Sequence, residues 1–467
     1  MMKKFHKKQR LLSAVLGMAV SCSAGGVVDA AVNYQPDPPG SVMAETGETS
    51  YIVTELTITG NKHHSTEEIK RLVPEASRPL VRPGQLSRQL SLLNDGQVMK
   101  IDAAFTPIGD QEYRLTLAVK EVKNDRFAVT FNNTGNKYTG DYRVGLSWMN
   151  TDITRHGDAL SLAYTTSPDE HFSDVKQVGL TYKAILPNSG DSMFFAYSYS
   201  DVDMGEIASF PGTGVSLEAT GKGHNASLHY QRNLNYRKSH RQLLDFGFDY
   251  KNYDNDQTWR GIVGPARSTN YEVGTFSTTY YDITRHERDV FSWNIGWTVN
   301  LLGNKTDYEK VRDGSDKDFH IFKVGTGYQH TTKSNWIIGL SAGAQWTPND
   351  LMQSEQFGAG GFGSVRGFKE RVATGDTGFG GSLEIYTPQY IPNSRFVLFM
   401  DGAWMSNNTT NLGEKGNRHI SSWGLGYCYG NEKIGLYASI DYAHPLSYGE
   451  FNGEAIRPWT FMLTKTF

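Results

Sequence analysis

Cysteine is nearly absent from this sequence: Cys22 and Cys428 are the only two in 467 residues. A disulfide scaffold is therefore excluded. Beyond the N-terminal thirty or so residues no stretch approaches the ~20 consecutive apolar residues of a membrane-spanning helix. Hydrophobic residues make up only 38% of the chain, too few for a bundle of such helices. The net charge of −3 gives no footing for a nucleic-acid partner. His63 and His64 precede a helix and have no further ligands at metal spacing, so they read as a solvated turn, and neither a metal nor a cofactor is expected.

Aromatic residues and glycine are plentiful instead. Aromatics reach 12%, and 49 glycines exceed the usual share of about 7%. Rich in both but not greasy is the composition of a membrane β-barrel, half of whose strand residues face water.

Residues 1–30 read as a secretory signal peptide. Lys3, Lys4, Lys7, Lys8 and Arg10 form the basic region, Leu11 to Val20 the apolar one, and Val28-Asp29-Ala30 a cleavage site. Cys22 as a lipoprotein acceptor is the alternative. Residues 31–50 are a linker broken by Pro36, Pro38, Pro39 and Gly40. Residues 51–122 read as a small β-α-α-β-β domain. Ser65 and Glu68 form a capping box. Leu86, Leu90 and Leu93 recur at helical spacing, and Met99, Ile101, Ala103 and Phe105 alternate as a strand.

From 126 to 467 the helical period disappears and sixteen strand-like segments follow one another. In Trp336 to Trp346, one face carries Trp336, Ile338, Leu340, Ala342, Ala344 and Trp346. The other carries Gly339, Ser341, Gly343 and Gln345. Ten residues at ~3.3 Å rise and ~40° tilt span roughly 25 Å, the height of a lipid-facing band with an aromatic girdle at each end. Short connections such as Thr331 to Asn335 alternate with long ones such as Asp203 to Lys222 and Gly303 to Asp318. The fold class is a 16-stranded antiparallel transmembrane β-barrel preceded by one small periplasmic α/β domain. The chain ends on Trp459, Phe461, Leu463, Lys465 and Phe467 on one face, resembling the signal by which such barrels are inserted. Lys465 would snorkel to the interface.

The longest loop, Leu351 to Phe379, contains Gly360-Gly361-Phe362-Gly363-Ser364-Val365-Arg366-Gly367-Phe368 and Gly375-Asp376. On the thirteenth strand Phe396, Leu398, Met400, Gly402 and Trp404 suit lipid, so Val397, Phe399, Asp401 and Ala403 face the lumen. A carboxylate there needs a partner. Arg366 is the candidate, able to pair in a bidentate fork. Gly363 and Gly367 would give its backbone freedom, and Phe368 would stack on a lumenal side chain such as Phe399. Two other motifs carry no chemistry. Gly339-Leu340-Ser341-Ala342-Gly343 matches a nucleophile elbow but sits in mid-strand, and Gly358, Gly360 and Gly363 precede no helix. An enzyme is not expected.

The Val365-Arg366-Gly367-Phe368 tetrad, the Phe399-x-Asp401 pattern, Gly375-Asp376 and Asp441-Tyr442-Ala443-His444-Pro445-Leu446 together resemble the two-partner secretion transporters, within the superfamily of outer-membrane assembly factors. Residues 51–122 resemble their polypeptide-transport-associated (POTRA) domain. The resemblance implies outer-membrane export of a secreted partner protein of adhesin or cytolysin type. Outer-membrane lipids and the barrel assembly machinery would be further partners. The partner would dock on the small domain, with Leu86, Leu90, Leu93, Met99 and Ile101 as groove candidates, unless these form the domain's own core. An assembly factor for other barrels and a passive porin are the alternatives. The chain departs from the family pattern in three ways. Ala403 replaces a glycine, one transport-associated domain stands where two are usual, and the linker is too short for a plug helix.

Overall fold

The computed structural model describes residues 50–467 apart from positions 97, 137–138, 170, 211–214, 237–238, 261–266, 269, 412–415, 450 and 452. The signal segment, its cleavage point and the linker up to residue 49 lie outside the described residues.

The small domain comes first, as β1 (Tyr51–Thr59), α1 (Thr66–Leu72), β2 (Leu80–Val81), α2 (Pro83–Asp95), β3 (Met99–Pro107) and β4 (Glu112–Glu121). The sheet order is β2-β1-β4-β3, with β1 and β4 parallel. Strand β2 was not expected, because two residues carry no readable period. It pairs Val81 and Leu80 with Tyr51 and Ile52. The capping box forms at α1: Glu68 N–H donates to the Ser65 hydroxyl, and Ser65 N–H donates to the Glu68 carboxylate. Helix α2 opens on Pro83, whose missing N–H costs nothing at a helix start.

Leu86, Leu90, Leu93, Met99 and Ile101 are all buried, packed with Ile69, Leu72, Leu115 and Leu117. They are the core of the domain and not an open docking groove. A domain this small has no apolar surface to spare: the face of α2 that could line a groove is the face that must cover the sheet.

The domain is seated on the barrel's turns. Ile185 of the barrel joins the domain's core. Gly157 approaches so closely that an added Cβ would lie 3.2 Å from Leu93 Cδ2. Gln89 Nε2 donates to the Pro187 carbonyl at 3.0 Å, and Arg88 pairs with Asp191 at 3.3 Å. His64, expected in a solvated turn, is instead buried between Asp152 (2.6 Å) and Glu121 (3.3 Å). Its burial comes from a barrel turn distant in sequence, which no local pattern could reveal.

Glu121 caps the histidine turn, accepting from the backbone N–H groups of Lys62, His63 and His64 at 2.9, 2.8 and 2.9 Å. Burial alone would raise its carboxyl, but these donors and the His64 ring outweigh burial and hold it at about 2, against an ordinary 4.5. A depressed carboxyl contributes stability that is complete above the unfolded value and is lost as pH falls through the folded one. The Lys62–His64 turn is therefore expected to loosen between pH 4.5 and 2. Glu121→Gln should loosen it at neutral pH, by at most about 3 kcal/mol. Amide hydrogen exchange across Lys62–His64 reads both effects, and unchanged protection in Glu121→Gln would contradict them.

Sixteen strands then close into a barrel among the described residues. They are β5 (Asp125–Asn132), β6 (Arg143–Asn150), β7 (Ala159–Thr166), β8 (Val175–Leu186), β9 (Asp191–Phe210), β10 (Val215–Tyr236), β11 (His240–Arg260), β12 (Tyr271–Arg285), β13 (Asp289–Leu302), β14 (His320–Thr331), β15 (Ile337–Trp346), β16 (Thr377–Tyr386), β17 (Ser394–Ser406), β18 (Asn417–Asn431), β19 (Leu436–Ser447) and β20 (Trp459–Thr466). Consecutive strands pair antiparallel, and β20 pairs with β5 to complete the ring. The even number brings both barrel ends to the same side, beside the small domain. Facing follows the alternation. On β15, Leu340 and Trp346 are exposed outward while Gln345 is buried inward, and the nucleophile-elbow look-alike is plain mid-strand.

Two long connections are more ordered than the sequence suggests. Asp203 to Lys222 is mostly a continuation of β9 and β10, which run for 20 and 22 residues. The membrane needs only about 9–11, so this hairpin stands well clear of the lipid band. Gly303 to Asp318 contains helix α3 (Lys305–Val311), capped by Asn304 and anchored by the fully buried Tyr308. At the chain's end Trp459, Leu463 and Phe467 are exposed outward. The Lys465 ammonium reaches the Ile434 carbonyl, the snorkelling geometry expected of it.

Candidate functional site

The connection from β15 to β16 folds back into the lumen and does not project outward. Strand β17 sets the other half of the site. Its outward residues Phe396, Leu398 and Met400 are exposed, while its inward residues Val397, Phe399, Asp401 and Ala403 are buried. Alternation alone fixes this facing, because a strand half in lipid cannot turn a carboxylate outward.

Arg366 meets Asp401 in a fork. Nε donates to Oδ2 at 2.7 Å, Nη2 donates to Oδ1 at 2.9 Å, and the Arg366 backbone N–H donates to Oδ2 at 3.1 Å. The guanidinium lies 3.5 Å from the centroid of the Phe399 ring, so the aromatic face supports the cation. Phe399 thus stacks on Arg366 and not on Phe368 as expected. Phe368 is fully buried elsewhere, with Val365, Ala359, Ala373, Ala403, Met405 and Ile420. The exchange has a simple cause: the cation needs the ring face once the lumen excludes water, and Phe368 finds a purely apolar nest beside Ala403. The extra methyl of Ala403 is part of that nest.

Two partners of Arg366 were not anticipated. Glu384 lies 2.9 Å from Nη2, and Ser382 accepts from Nη2 at 3.3 Å while donating to Asp401 at 2.6 Å. Both face inward on β16, where Phe379 and Leu383 face lipid. An inward glutamate on a spanning strand carries the same signal that marked Asp401. Three charges and a hydroxyl therefore form one pocket.

Glycine freedom is used at Gly360, Gly361 and Gly367, whose φ angles are +107°, +98° and +92°. Gly363, expected to serve this purpose, has no positive φ and open space around it. Gly367 and Phe368 pair as a short ladder with Arg457 and Ile456, ahead of β20. A Cβ on Gly367 would lie 3.1 Å from the Ala443 Cβ. Gly367→Ala is therefore expected to unseat this ladder at a cost of about 1–2 kcal/mol from the backbone alone. Faster amide exchange at Phe368 checks this, and unaltered exchange would contradict it.

The loop has further anchors. Lys251 on β11 holds Glu355 at 2.8 Å. Asp376, of the Gly375-Asp376 pair, is fully buried against Arg312 at 3.0 Å. Nothing in the sequence distinguishes Arg312 from a solvated loop arginine.

The comparisons with known proteins agree with one another. The model of the family described as haemolysin secretion/activation protein ShlB/FhaC/HecB matches residues 112–428. The heme/hemopexin transporter protein HuxB of Haemophilus influenzae (strain 86-028NP) is 21% identical over 368 residues, covering 76% of this chain and 62% of that protein. The outer membrane transporter CdiB of Escherichia coli O6:K15:H31 (strain 536 / UPEC) is 25% identical over 272 residues, 56% of this chain and 44% of that one. The chain thus spans less than two thirds of the length of these relatives, which are transporters and not enzymes. Among solved structures, CdiB from Escherichia coli superposes with a TM-score of 0.69 at 16% identity, covering 93% of each chain. BamA from Haemophilus ducreyi lacking POTRA domains 1-3 gives 0.54 at 17% identity, over 89% of this chain and 85% of that one. With its closed outer-membrane barrel, its inward Arg366 loop and a family match over residues 112–428, this chain belongs to the haemolysin secretion/activation family ShlB/FhaC/HecB.

Proposed function

We propose that this protein exports a large partner polypeptide through its barrel, with the small domain in the periplasm as the receiving platform. The observation that carries this reading is the Arg366 loop, folded inside the lumen and fastened to Asp401. A passive porin has no use for a removable obstruction pinned by a buried fork. Val365, Arg366, Gly367 and Phe368, with Phe399 and Asp401, form the latch of that obstruction.

The platform works through its backbone, since its apolar side chains are taken up by the core. Strand β3 is an edge of the sheet and pairs with β4 alone among the described residues. An extended segment of the partner adds to this edge as a further strand. Export then runs on the partner's folding outside, because no nucleotide or ion gradient serves the outer membrane. Lipids surround the aromatic-girdled band, and the barrel assembly machinery inserts the chain through its terminal strand.

The test is reconstruction in a foreign host. The chain is produced in an outer membrane that lacks such exporters, together with a large secreted polypeptide chosen from its own genome. Release of that polypeptide to the medium is the expected result. Its retention in the periplasm, with the barrel correctly inserted, would overturn the reading.

A further inference from the structure

The Arg366 pocket accounts for the depth of the lumen but not for its outer mouth, where a second buried ion pair has no role in the latch. Asp376 is fully buried, and its carboxylate accepts five hydrogen bonds. Arg312 Nη1 and Nη2 donate at 3.0 and 3.3 Å, Leu351 N–H at 2.9 Å, Gln356 Nε2 at 3.0 Å and Asn408 N–H at 2.9 Å. Arg312 is nearly as buried, and it also donates to the carbonyls of Leu351 at 2.8 Å and Thr409 at 2.9 Å. These residues belong to three separate connections: β13–β14 supplies Arg312, β15–β16 supplies Leu351, Gln356 and Asp376, and β17–β18 supplies Asn408 and Thr409.

The surroundings repeat the pattern. Asn349 Nδ2 and Asp350 N–H both donate to Asp316 at 3.1 Å. Asn408 Nδ2 donates to the Asn349 carbonyl at 2.7 Å, and Asn411 Nδ2 to the Asp313 carbonyl at 2.9 Å. Beneath them Tyr308, Leu351 and Met352 are fully buried with Phe319 and Ile321. Three loops that could have waved independently in water are joined by charge and by a dry floor.

We propose that Arg312 and Asp376 form a second, outer latch, pinning these three loops into one cap over the barrel mouth and able to hold independently of the Arg366–Asp401 latch. The chemistry of the pair supports this. A buried carboxylate that accepts five donors from three segments holds those segments together only while it is charged and its guanidinium is present. Both latches sit on the same lumenal loop, one at its tip and one at its return to β16. A passing chain must therefore displace the tip, the cap or both, and the outer pair sets whether the cap follows the tip. The same arrangement gives Gly375-Asp376 a physical role. Gly375 is so tightly set that an added Cβ would lie 2.9 Å from the Ser406 backbone nitrogen, and this closeness brings Asp376 under the cap.

The experiment uses the full-length chain in lipid vesicles, with Cys22→Ser and Cys428→Ser to clear both native thiols. Spin labels are placed at Lys310→Cys and Thr410→Cys, exposed positions on the β13–β14 and β17–β18 connections. One narrow distance distribution is expected in this background. Asp376→Asn and Arg312→Gln should each broaden it severalfold, whereas Arg366→Ala should leave it narrow. A narrow distribution in both cap variants would overturn the outer latch. Broadening by Arg366→Ala as large as that by Asp376→Asn would overturn its independence. If neither cap variant inserts, the pair is a folding requirement and the proposal fails. Conductance of potassium chloride in planar bilayers gives the second reading: the cap variants should pass more current than the parent, and equal current would count against a cap at the mouth.

Discussion

Arg366→Ala is expected to leave a folded, inserted barrel that exports poorly, and to do more damage than Asp401→Ala. The asymmetry follows from the pocket. Removing Arg366 takes the cation from two carboxylates, Asp401 and Glu384, and leaves each with a hydroxyl donor in its place, Ser382 for Asp401 and Tyr386 for Glu384. Removing Asp401 leaves Arg366 with Glu384 at 2.9 Å and with the Phe399 ring. Breaking a buried pair from one side costs about 3–5 kcal/mol locally, and Arg366→Ala belongs at the upper end. Arg366→Lys should be nearly as poor. An ammonium keeps the charge but cannot donate along two parallel lines to Asp401 while lying flat on Phe399. The barrel itself should survive all three changes, because its closed ladder of backbone hydrogen bonds does not pass through the pocket. Heat-modifiable migration in detergent reads folding, and release of the partner to the medium reads export. Equal export by Arg366→Ala and the parent would remove the latch from the mechanism.

Deleting residues 51–122 is expected to abolish export altogether while leaving an inserted barrel. The deletion removes the β3 edge proposed as the partner's docking strand, and nothing else in the described structure offers a second mixed sheet. It also bares Ile185 and frees Asp152 and Asp191 from His64 and Arg88. These groups lie at the turns and not in the lipid band, so the loss is confined to the barrel's periplasmic rim. A gentler variant separates docking from seating. His64→Ala with Arg88→Ala keeps the β3 edge but cuts two ties between domain and rim. Export should fall severalfold, not vanish, if the domain must deliver the partner to the barrel mouth. Normal export without residues 51–122 would end the platform role.

The sequence reveals most where one rule acts alone. Period-two alternation under a lipid constraint gives the strand count, the facing of β15 and β17, and so the inward position of Asp401. Length and glycine content single out the loop that carries Arg366. Legibility ends where tertiary contacts decide. Leu86, Leu90 and Leu93 have the same spacing whether they line a groove or a core, and only the shortage of apolar surface in a small domain settles it. His64 looks like a turn residue until a barrel segment far along the chain closes over it. Arg312 and Glu384 show the same limit from two sides. Glu384 was within reach of the alternation rule, and Arg312 was not, because loop residues have no period to betray which way they point. Strands β9 and β10 outrun the membrane because pairing continues wherever both chains stay extended, and lipid is not needed for that.

The central claim is that the partner passes through the lumen. The most direct test arrests it there, with a tightly folded domain fused to its C-terminus, and asks which barrel positions touch it. Ser161 and Leu162 are neighbours on β7: Ser161 faces the lumen, and Leu162 faces lipid and is exposed. With Cys22→Ser and Cys428→Ser as background, a thiol cross-linker at Ser161→Cys is expected to capture the arrested polypeptide, and the same reagent at Leu162→Cys is expected to capture none. Capture from Leu162→Cys alone, or from neither position while export of the unfused partner proceeds, would contradict passage through the barrel.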